Sequence, residues 1–393
     1  MKLGHLAAVF VWSFAGALSA GACTSWVIRP ELSSSGRMII QKILDLPYRN
    51  RLDADIRVAP DGRRWIRVGY SGGASMAMNE KGLAITTNCG DPNGRACVSG
   101  EERHAMSSWN LVWLVKSCAT AEEAVEALKN IGRNGLFVYG MKNYGSIVLV
   151  ADARRAFLFE IGDGYGEACE VTGGMHVVAN AWSLPGGETV SEFGLDNIRG
   201  NRARTACAVR SLQQKQADGK YTIRGCFDTS REIRSGKRLA DRHPFVPGNR
   251  KSRNMSLETT CFEIDPEFPA FLSCAYISLG PQRHMVYLPV PMAVKQLPRK
   301  MRDGSWSRMA FDHQAAFGPE HGDLPKIAKL EDKFLAEFTT VRAEARRLLK
   351  DGKKDEAVKL LNDCFDRQYA EADRLMTSLQ AAAKEKLKAG QAR

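Results

Sequence analysis

The order of apolar and polar residues changes along this chain, from short β-rich runs to long helical stripes. Between residue 23 and about residue 300, runs of five or six mostly apolar residues are bounded by Gly, Asn or Asp, which is typical of short strands joined by turns. These runs cover 65–70, 83–87, 146–150, 156–161, 176–180, 259–264 and 275–279. Two helices are predicted among the strands, over 108–116 and over 120–131, where Thr120 and Glu123 resemble a capping box.

The C-terminal part of the chain changes to helical spacing. One apolar stripe consists of Ile327, Leu330, Phe334, Phe338, Val341, Ala345 and Leu348. Asp351 and Gly352 then end that helix, and a second stripe runs from Ala357 to Leu379, so the two predict a helical hairpin. We expect both stripes to be core positions. Strands followed by helices, with antiparallel hairpins, predict the α+β class.

The region between residues 215 and 255 is polar, basic and rich in Gly, Pro and Arg. We interpret it as a long excursion or flap. The predicted organisation is a leader over residues 1–22, a strand-rich domain over 23–310 that carries this flap, and a helical hairpin with a basic tail over 311–393.

Residues 1–22 have the three parts of a secretory signal peptide: a charged start at Lys2, a short apolar run, and an Ala-Gly-Ala end. The apolar run is shorter than the roughly 20 residues of a membrane span. We expect cleavage before Cys23, no stable membrane insertion afterwards, and a periplasmic or secreted protein. An uncleaved anchor is one alternative. A lipoprotein signal is a second, although that signal usually has a large aliphatic residue at the place of Ala20.

Composition is that of a soluble globular protein, with 44% hydrophobic and 25% charged residues among 393. The formal net charge of +12 falls to +11 once Lys2 is removed with the leader. The basic residues lack the aromatic interleaving or zinc spacing of nucleic-acid binders, so we expect a solvated basic surface and no nucleic-acid partner. The histidines are scattered and no CxxC or HExxH occurs, so we expect neither a metal site nor a cofactor.

The chain has ten cysteines, and export would permit disulfides. Cys89 and Cys97 flank a loop of Gly, Asp, Pro and Asn and are the best candidates for a local bridge. A cysteine at the start of a mature chain also has a catalytic use, because its own α-amine, with an unperturbed pKa of about 8, can act as base for the thiol. From its position alone, Cys23 is therefore either a nucleophile or half of a disulfide.

A nucleophile at Cys23 needs a group that holds the amine and donors for an oxyanion. If residues 23–28 form a strand and residues 38–45 form its hairpin neighbour, Asp45 could lie beside Cys23 and orient the amine. Lys42 on the same strand is a cation that could favour the thiolate.

Cys-Thr-Ser-Trp at residues 23–26 and Lys-Ile-Leu-Asp at residues 42–45 resemble the cysteine branch of the N-terminal nucleophile (Ntn) hydrolases. That branch includes penicillin V acylases and choloylglycine hydrolases, acyl-coenzyme A:isopenicillin N acyltransferase-like proteins, and a group of dipeptidases. The family pattern on the second strand is Arg-Asn-x-Asp, so Lys42 stands in place of the Arg and Ile43 in place of the Asn. The resemblance implies a four-layer αββα sandwich of two antiparallel sheets.

Two later segments extend the resemblance. Asn-Glu-Lys-Gly-Leu at residues 79–83 leads into the strand that ends at Asn88, a place that helps to line the oxyanion pocket in the family. Residues 177–182 resemble the segment whose Asn donates to the oxyanion, here Asn180. The resemblance implies catalytic roles for Cys23, Asp45, Asn180, Asn88 and Lys42. Structural roles stay open for three of them, namely a turn acid at Asp45, a turn cap at Asn180 and a turn residue at Asn88.

The expected chemistry is hydrolysis of a C–N amide in an N-acyl compound or small peptide by the Cys23 thiolate. If an acceptor amine outcompetes water, the same site is an acyltransferase. Two roles without catalysis also stay open: an envelope protein lipidated on Cys23, and an inactive Ntn-like scaffold, for which the Lys42 and Ile43 replacements argue. The expected partner is a small-molecule amide or dipeptide substrate, and homo-oligomerisation stays open.

Overall fold

The computed structural model of the protein describes residues 23–46, 52–70, 73–92, 106–107, 112–133, 138–139, 144–162, 165–185, 195–232, 255–318 and 323–391. The strands in this part of the chain are β1 (Thr24–Ile28), β2 (Met38–Leu46), β3 (Leu52–Val58), β4 (Arg64–Tyr70), β5 (Met76–Asn79), β6 (Ala84–Pro92), β7 (Met106–Ser107), β8 (Val138–Tyr139), β9 (Tyr144–Ala151), β10 (Ala156–Gly162), β11 (Tyr165–Glu170), β12 (Met175–Val178), β13 (Met255–Ile264), β14 (Cys274–Ser278) and β15 (Leu288–Pro291). The helices are α1 (Val112–Ser117), α2 (Ala121–Arg133), α3 (Leu195–Gln214), α4 (Ile223–Ser230), α5 (Pro269–Leu272), α6 (Arg299–Arg302), α7 (Ser305–Phe317), α8 (Leu324–Lys350) and α9 (Lys354–Gln391).

Within the described residues, the strands form two large sheets. Sheet A has the order β12-β1-β2-β13-β14-β15, and sheet B has the order β11-β10-β9-β6-β5-β4-β3. Neighbouring strands are antiparallel throughout both sheets. Strands β7 and β8 form a short parallel pair of their own.

Strand β1 shows how sheet A is covered on both faces. All five of its residues are buried; Val27 belongs to the cluster between the sheets, whereas Trp26 and Ile28 belong to the cluster on the other face. Successive side chains of a strand point to opposite faces. A strand that is covered on both faces needs consecutive apolar residues, and Trp26, Val27 and Ile28 supply them here.

Three apolar clusters define the layers. The cluster between the sheets joins residues such as Ile40 of sheet A and Ile66 of sheet B. The outer face of sheet A packs against α4 and α8 through Phe227 and Phe338, and the outer face of sheet B packs against α1 and α2 through residues such as Leu128. The architecture is a four-layer αββα sandwich of the α+β class, as the sequence predicts.

The predicted helical hairpin at the C-terminus is confirmed. Helices α8 and α9 are joined by a tight turn in which Gly352 has a φ of +75° and the Lys353 N–H donates to the Leu348 carbonyl at 2.8 Å. A positive φ favours glycine, and this pattern of hydrogen bonds ends a helix. Helix α9 includes most of the expected basic tail. No helix in the described ranges combines the length and apolar character that crossing a membrane requires.

The segment from 215 to 255 is not one excursion. Residues 215–232 form a turn and helix α4, whose Phe227 stacks on Tyr287 with ring centroids 4.0 Å apart in the core. A short buried helix among polar neighbours lacks the long apolar stripe that would predict it. Residues 233–254 lie outside the described residues, so a flap there stays a prediction. The proposed bridge from Cys89 to Cys97 also involves residues outside that part, since Cys97 is not described.

Candidate active site around Cys23

The hairpin of β1 and β2 brings Cys23 and Asp45 together. The two strands pair Thr24 with Ile43 and Ser25 with Lys42, so the same register continues with Cys23 opposite Leu44 and next to Asp45. The Cys23 Sγ lies 4.0 Å from the backbone oxygen of Asp45. The side chain is 3% exposed and belongs to the apolar cluster between the sheets. The thiol therefore lies in the space between the two sheets, at the start of β1.

The Asp45 carboxyl is fully buried and has one oxygen with a partner and one without. Its Oδ1 accepts a hydrogen bond from the Ser256 hydroxyl, and its Oδ2 lies 3.6 Å from Nη1 of Arg204. Among the described residues, none donates a hydrogen bond to Oδ2. Burial raises the pKa of this carboxyl to about 7, against the opposing effects of Arg204, Ser256 and Lys42.

Lys42 and Asn88 lie on facing strands and are in direct contact. The Lys42 Nζ donates to the Thr87 carbonyl and, at 3.3 Å, to the Oδ1 of Asn88. The same Oδ1 accepts the Ser25 hydroxyl at 2.8 Å, and the Asn88 Nδ2 donates to the Ala179 carbonyl at 3.0 Å. An amide nitrogen has two N–H groups. Both ends of the Asn88 amide are therefore held: the oxygen accepts hydrogen bonds from Lys42 and Ser25, and one of the two N–H groups donates to the Ala179 carbonyl.

Asn180 lies two residues beyond the end of strand β12 and is also buried. Its Oδ1 accepts a hydrogen bond from Nη2 of Arg204 at 2.9 Å, which leaves the amide nitrogen as the donor end of the group. The same guanidinium reaches Asp45 and donates to Asn201. Arg204 of helix α3 therefore connects the Asp45 carboxylate to the side-chain amide of Asn180.

Arg204 is a site residue that the sequence analysis does not single out. Gly200, Arg204, Ala208 and Leu212 recur at intervals of four along α3 and are all buried. An arginine on the apolar face of a helix is unusual unless it is paired. Its place on that face, in an arginine-rich segment, is the signal by which the sequence could reveal it.

Ser256 and Glu258 on β13 also lie next to the hairpin, and no local sequence pattern predicts this. A register shift between them lets Ser256 oppose Asp45 while Glu258 opposes Leu44, so a β-bulge brings both polar side chains to the hairpin. The two strands are more than 200 residues apart in the chain. No local pattern in the sequence carries that pairing.

Glu160 on β10 fixes the loop that follows Asn180. Its carboxylate is buried and accepts the Ser183 N–H at 2.8 Å, the Ser183 hydroxyl at 2.7 Å and the Leu184 N–H at 3.0 Å. These bonds tie a strand of sheet B to the loop beyond β12 of sheet A. The loop that contains Asn180 is thereby anchored to sheet B three and four residues further along the chain.

No protein-family model matches this chain, and no curated protein matches it either. Two solved structures of conjugated bile acid hydrolase from Clostridium perfringens, one of a mutant and one of a variant, are similar to it. Each is 12% identical in sequence, covers 65% of this chain and 89% of its own, and superposes with a TM-score of 0.42. A likeness of this degree assigns no role to any residue of the site.

The five residues predicted for the site form two sets of contacts, which meet where the Asn88 amide donates to the carbonyl of Ala179, next to Asn180. Cys23 and Asp45 meet through the hairpin, Lys42 and Asn88 meet across the two sheets, and Arg204 joins Asp45 to Asn180. Among the described residues, no group of three or more His, Cys, Asp or Glu side chains could hold a metal ion. The group offers a thiol, two buried cations, a carboxylate and two amides, which are the parts that acyl transfer through a thioester requires.

Proposed function

We propose that the protein is an exported amidohydrolase that cleaves a C–N amide through Cys23 at a processed N-terminus. The observation that carries this proposal is the Asp45 carboxyl. It is buried, its Oδ2 accepts no hydrogen bond from the described residues, and the β1–β2 register brings it beside Cys23. A buried oxygen without a donor is costly. The α-amine of Cys23, once the leader is removed, is the donor that would satisfy it.

The reaction follows from the groups in place. The α-amine takes the thiol proton, and Sγ attacks the amide carbonyl, with Lys42 and Arg204 supplying positive charge near the thiolate. Asn180, Asn88 and a backbone N–H stabilise the oxyanion. The C–N bond breaks as the ammonium returns its proton to the leaving nitrogen. Water then attacks the thioester and gives a proton to the α-amine, the C–S bond breaks, the proton returns to Sγ, and the acid product leaves.

The surroundings of Cys23 favour an apolar acyl group. The thiol belongs to the large apolar cluster between the sheets, which also includes the buried Val178 and Trp182 of the segment that carries Asn180. Apolar pockets with a few oriented polar groups are typical of small-molecule sites. N-acyl compounds and small peptides are therefore the substrate classes that we propose, and an acceptor amine in place of water would make the same site an acyltransferase.

The burial of Cys23 also weighs against a lipidated envelope protein. A diacylated cysteine has to leave the protein surface to enter a membrane. The Cys23 side chain is 3% exposed and lies in the apolar cluster between two sheets. That placement suits a nucleophile better than an anchor.

Mass spectrometry of the intact exported protein, with and without iodoacetamide, tests the proposal. We expect a chain that begins at Cys23 and is carbamidomethylated on that residue, as peptide mapping would locate, together with hydrolysis of N-acyl amino acids or dipeptides that Cys23→Ser abolishes. Cys169→Ser, at an exposed free cysteine, is the matched control and should keep full activity. A lipid mass on Cys23, or retention of residues 1–22, would contradict the proposal.

A further inference from the structure

A second buried carboxylate, Glu258 of β13, lies between the two sheets. Its side chain is 0% exposed, and it accepts hydrogen bonds from the Ser75 hydroxyl at 3.0 Å and from the Thr260 hydroxyl at 3.1 Å. Two charged groups act on it electrostatically: the Lys42 ammonium favours its ionised form, and the Asp53 carboxylate opposes it. Burial raises the pKa of Glu258 to about 7, and Lys42 is the largest of the effects that oppose this rise.

Lys42 needs a counter-ion. Its side chain is 1% exposed, and its hydrogen-bond acceptors are the Thr87 carbonyl and the Asn88 amide oxygen, both of which are neutral. Within the described residues, no carboxylate oxygen comes within 4.0 Å of its Nζ. A buried ammonium is stable only with opposite charge nearby. Its positive charge favours the ionised forms of two buried carboxyls, those of Asp45 and Glu258.

Asp45 is already engaged by other groups. It has Arg204 at 3.6 Å and the Ser256 hydroxyl on its other oxygen. In the proposed function it also holds the α-ammonium of Cys23. Glu258 is thus the carboxylate left to balance Lys42.

The strand register explains why these two side chains share a space. Thr260 pairs with Lys42 across the β2–β13 ladder, and Glu258 pairs with Leu44, two residues along the same strand. Diagonal neighbours on one face of a sheet lie within reach of long side chains. Thr260 lies directly opposite Lys42 and donates to Glu258, so it bridges the two positions.

We propose that Glu258 is a positioning residue of the site: it is the counter-ion that keeps the Lys42 ammonium against the Thr87 carbonyl and Asn88, and it thereby fixes the Asn88 amide. This inference rests on the proposed function for the part that concerns catalysis. Its structural part, the coupling of Glu258 to Lys42, stands independently of any substrate. Glu258 does not contact the reacting atoms in this scheme and acts only through Lys42.

A double-mutant cycle on the processed full-length protein tests the structural part. Glu258→Gln and Lys42→Met should each lower the urea midpoint of unfolding, because each leaves one buried charge without its partner. The double variant should unfold at a midpoint above the lower of the two single variants. Glu267→Gln, at an exposed glutamate, is the control for loss of a carboxylate. Strictly additive midpoints would overturn the proposal.

The same four proteins test the catalytic part. Glu258→Gln should lower kcat about 10- to 100-fold with little change in KM, since a displaced donor costs transition-state stabilisation. In the Lys42→Met background, Glu258→Gln should cause no further loss. An equal loss in both backgrounds would show a general structural effect and overturn the proposal. If Glu258→Gln does not fold, the double variant should still fold, because it leaves neither buried charge without its partner, and a double variant that also fails would overturn the proposal.

A chain without amidase activity would refute the proposed function and not this inference. The rate of Cys23 alkylation by iodoacetamide then takes the place of kcat, because it needs no substrate. Removal of the Glu258 carboxylate acts on the thiol directly and also through any displacement of Lys42. Glu258→Gln should therefore change the alkylation rate more with Lys42 present than in Lys42→Met. Equal changes in both backgrounds would overturn the coupling.

Discussion

Burial raises the pKa of both Asp45 and Glu258 to about 7, yet the two carboxyls have different partners. Asp45 has the Arg204 guanidinium within 3.6 Å, whereas Glu258 is held by two hydroxyl groups and balanced by Lys42 at longer range. At the scale of single residues, the site is a set of buried charges whose protonation each depends on a specific neighbour. A change in one charge should therefore alter the titration of the next.

The Asp45 carboxyl provides the first test at this scale. A free α-ammonium at Cys23 is an opposite charge beside the carboxyl, and such a charge lowers a carboxyl pKa. We expect Asp45 to titrate at lower pH in a chain that begins at Cys23 than in one with a Gly-Ser extension before it. Carbon-13 NMR of the aspartate carboxyls, assigned with Asp45→Asn, measures the difference.

Asp303 serves as the internal control for that measurement. Hydrogen bonds from Ser305 lower its pKa, and it lies at the end of α6. Its titration should be the same in both chains. Identical titration of Asp45 in the two chains would contradict the proposed contact with the amine.

Helix α3 shows what an element contributes to the site. It begins after β12 and carries Arg204 on its buried face, so a single side chain spans from Asn180 to Asp45. The guanidinium is a rigid planar group with several donors, so it can bind two acceptors in fixed directions. A lysine ammonium on a flexible stem holds such a geometry less well. The helix therefore positions two strands of sheet A relative to each other through one guanidinium.

Arg204→Lys tests that role. The substitution keeps the charge but removes the fork, so we expect kcat to fall about 10- to 100-fold through misplacement of Asn180. Arg202→Lys, at an exposed position of the same helix, is the matched control and should leave kcat unchanged. Steady-state kinetics on the processed protein measure both. An Arg204→Lys enzyme with the parent kcat would show that charge alone is sufficient.

At the scale of the whole molecule, the C-terminal helices are part of the sandwich. Glu331 of α8 is fully buried. Its carboxylate accepts hydrogen bonds from both terminal nitrogens of Arg231 at 2.6 Å, from Nη1 of Arg224 at 3.0 Å and from the Tyr287 N–H at 2.7 Å. These bonds join the tail hairpin to the end of α4 and to the loop before β15. Cys23 of the site and Phe334 of α8 also belong to the same apolar cluster, so the site and the tail share one core.

Glu331→Gln tests this connection. Removing one member of a buried ion pair leaves the other charge unpaired, which costs about 3 to 5 kcal/mol of unfolding free energy. Glu371→Gln breaks the more exposed pair with Lys333 and should cost no more than about 1 kcal/mol. Equilibrium urea unfolding measures both variants. A loss for Glu331→Gln as small as that for Glu371→Gln would contradict a shared core.

Much of the architecture follows from local pattern. Apolar runs over 146–150 and 156–161 predict a hairpin, which is observed as β9 paired with β10, and helical stripes predict α8 and α9. These features can be predicted because, when one face of an element is buried, apolar residues recur every 2 residues in a strand and every 3.6 residues in a helix. The neighbourhood of Cys23 and Asp45 is equally local, since a hairpin connects them.

The remaining contacts of the site depend on residues far apart in the chain. Arg204 reaches Asp45, Ser256 donates to Asp45, and Glu258 balances Lys42 only because helix α3 and strand β13 are packed where they are. Helix α4 escapes prediction for a related reason: its burial comes from tertiary packing and not from a stripe of its own. Local periodicity indicates which face of an element is buried. Which neighbour covers that face is decided by long-range packing and strand register, including the one-residue bulge between Ser256 and Glu258.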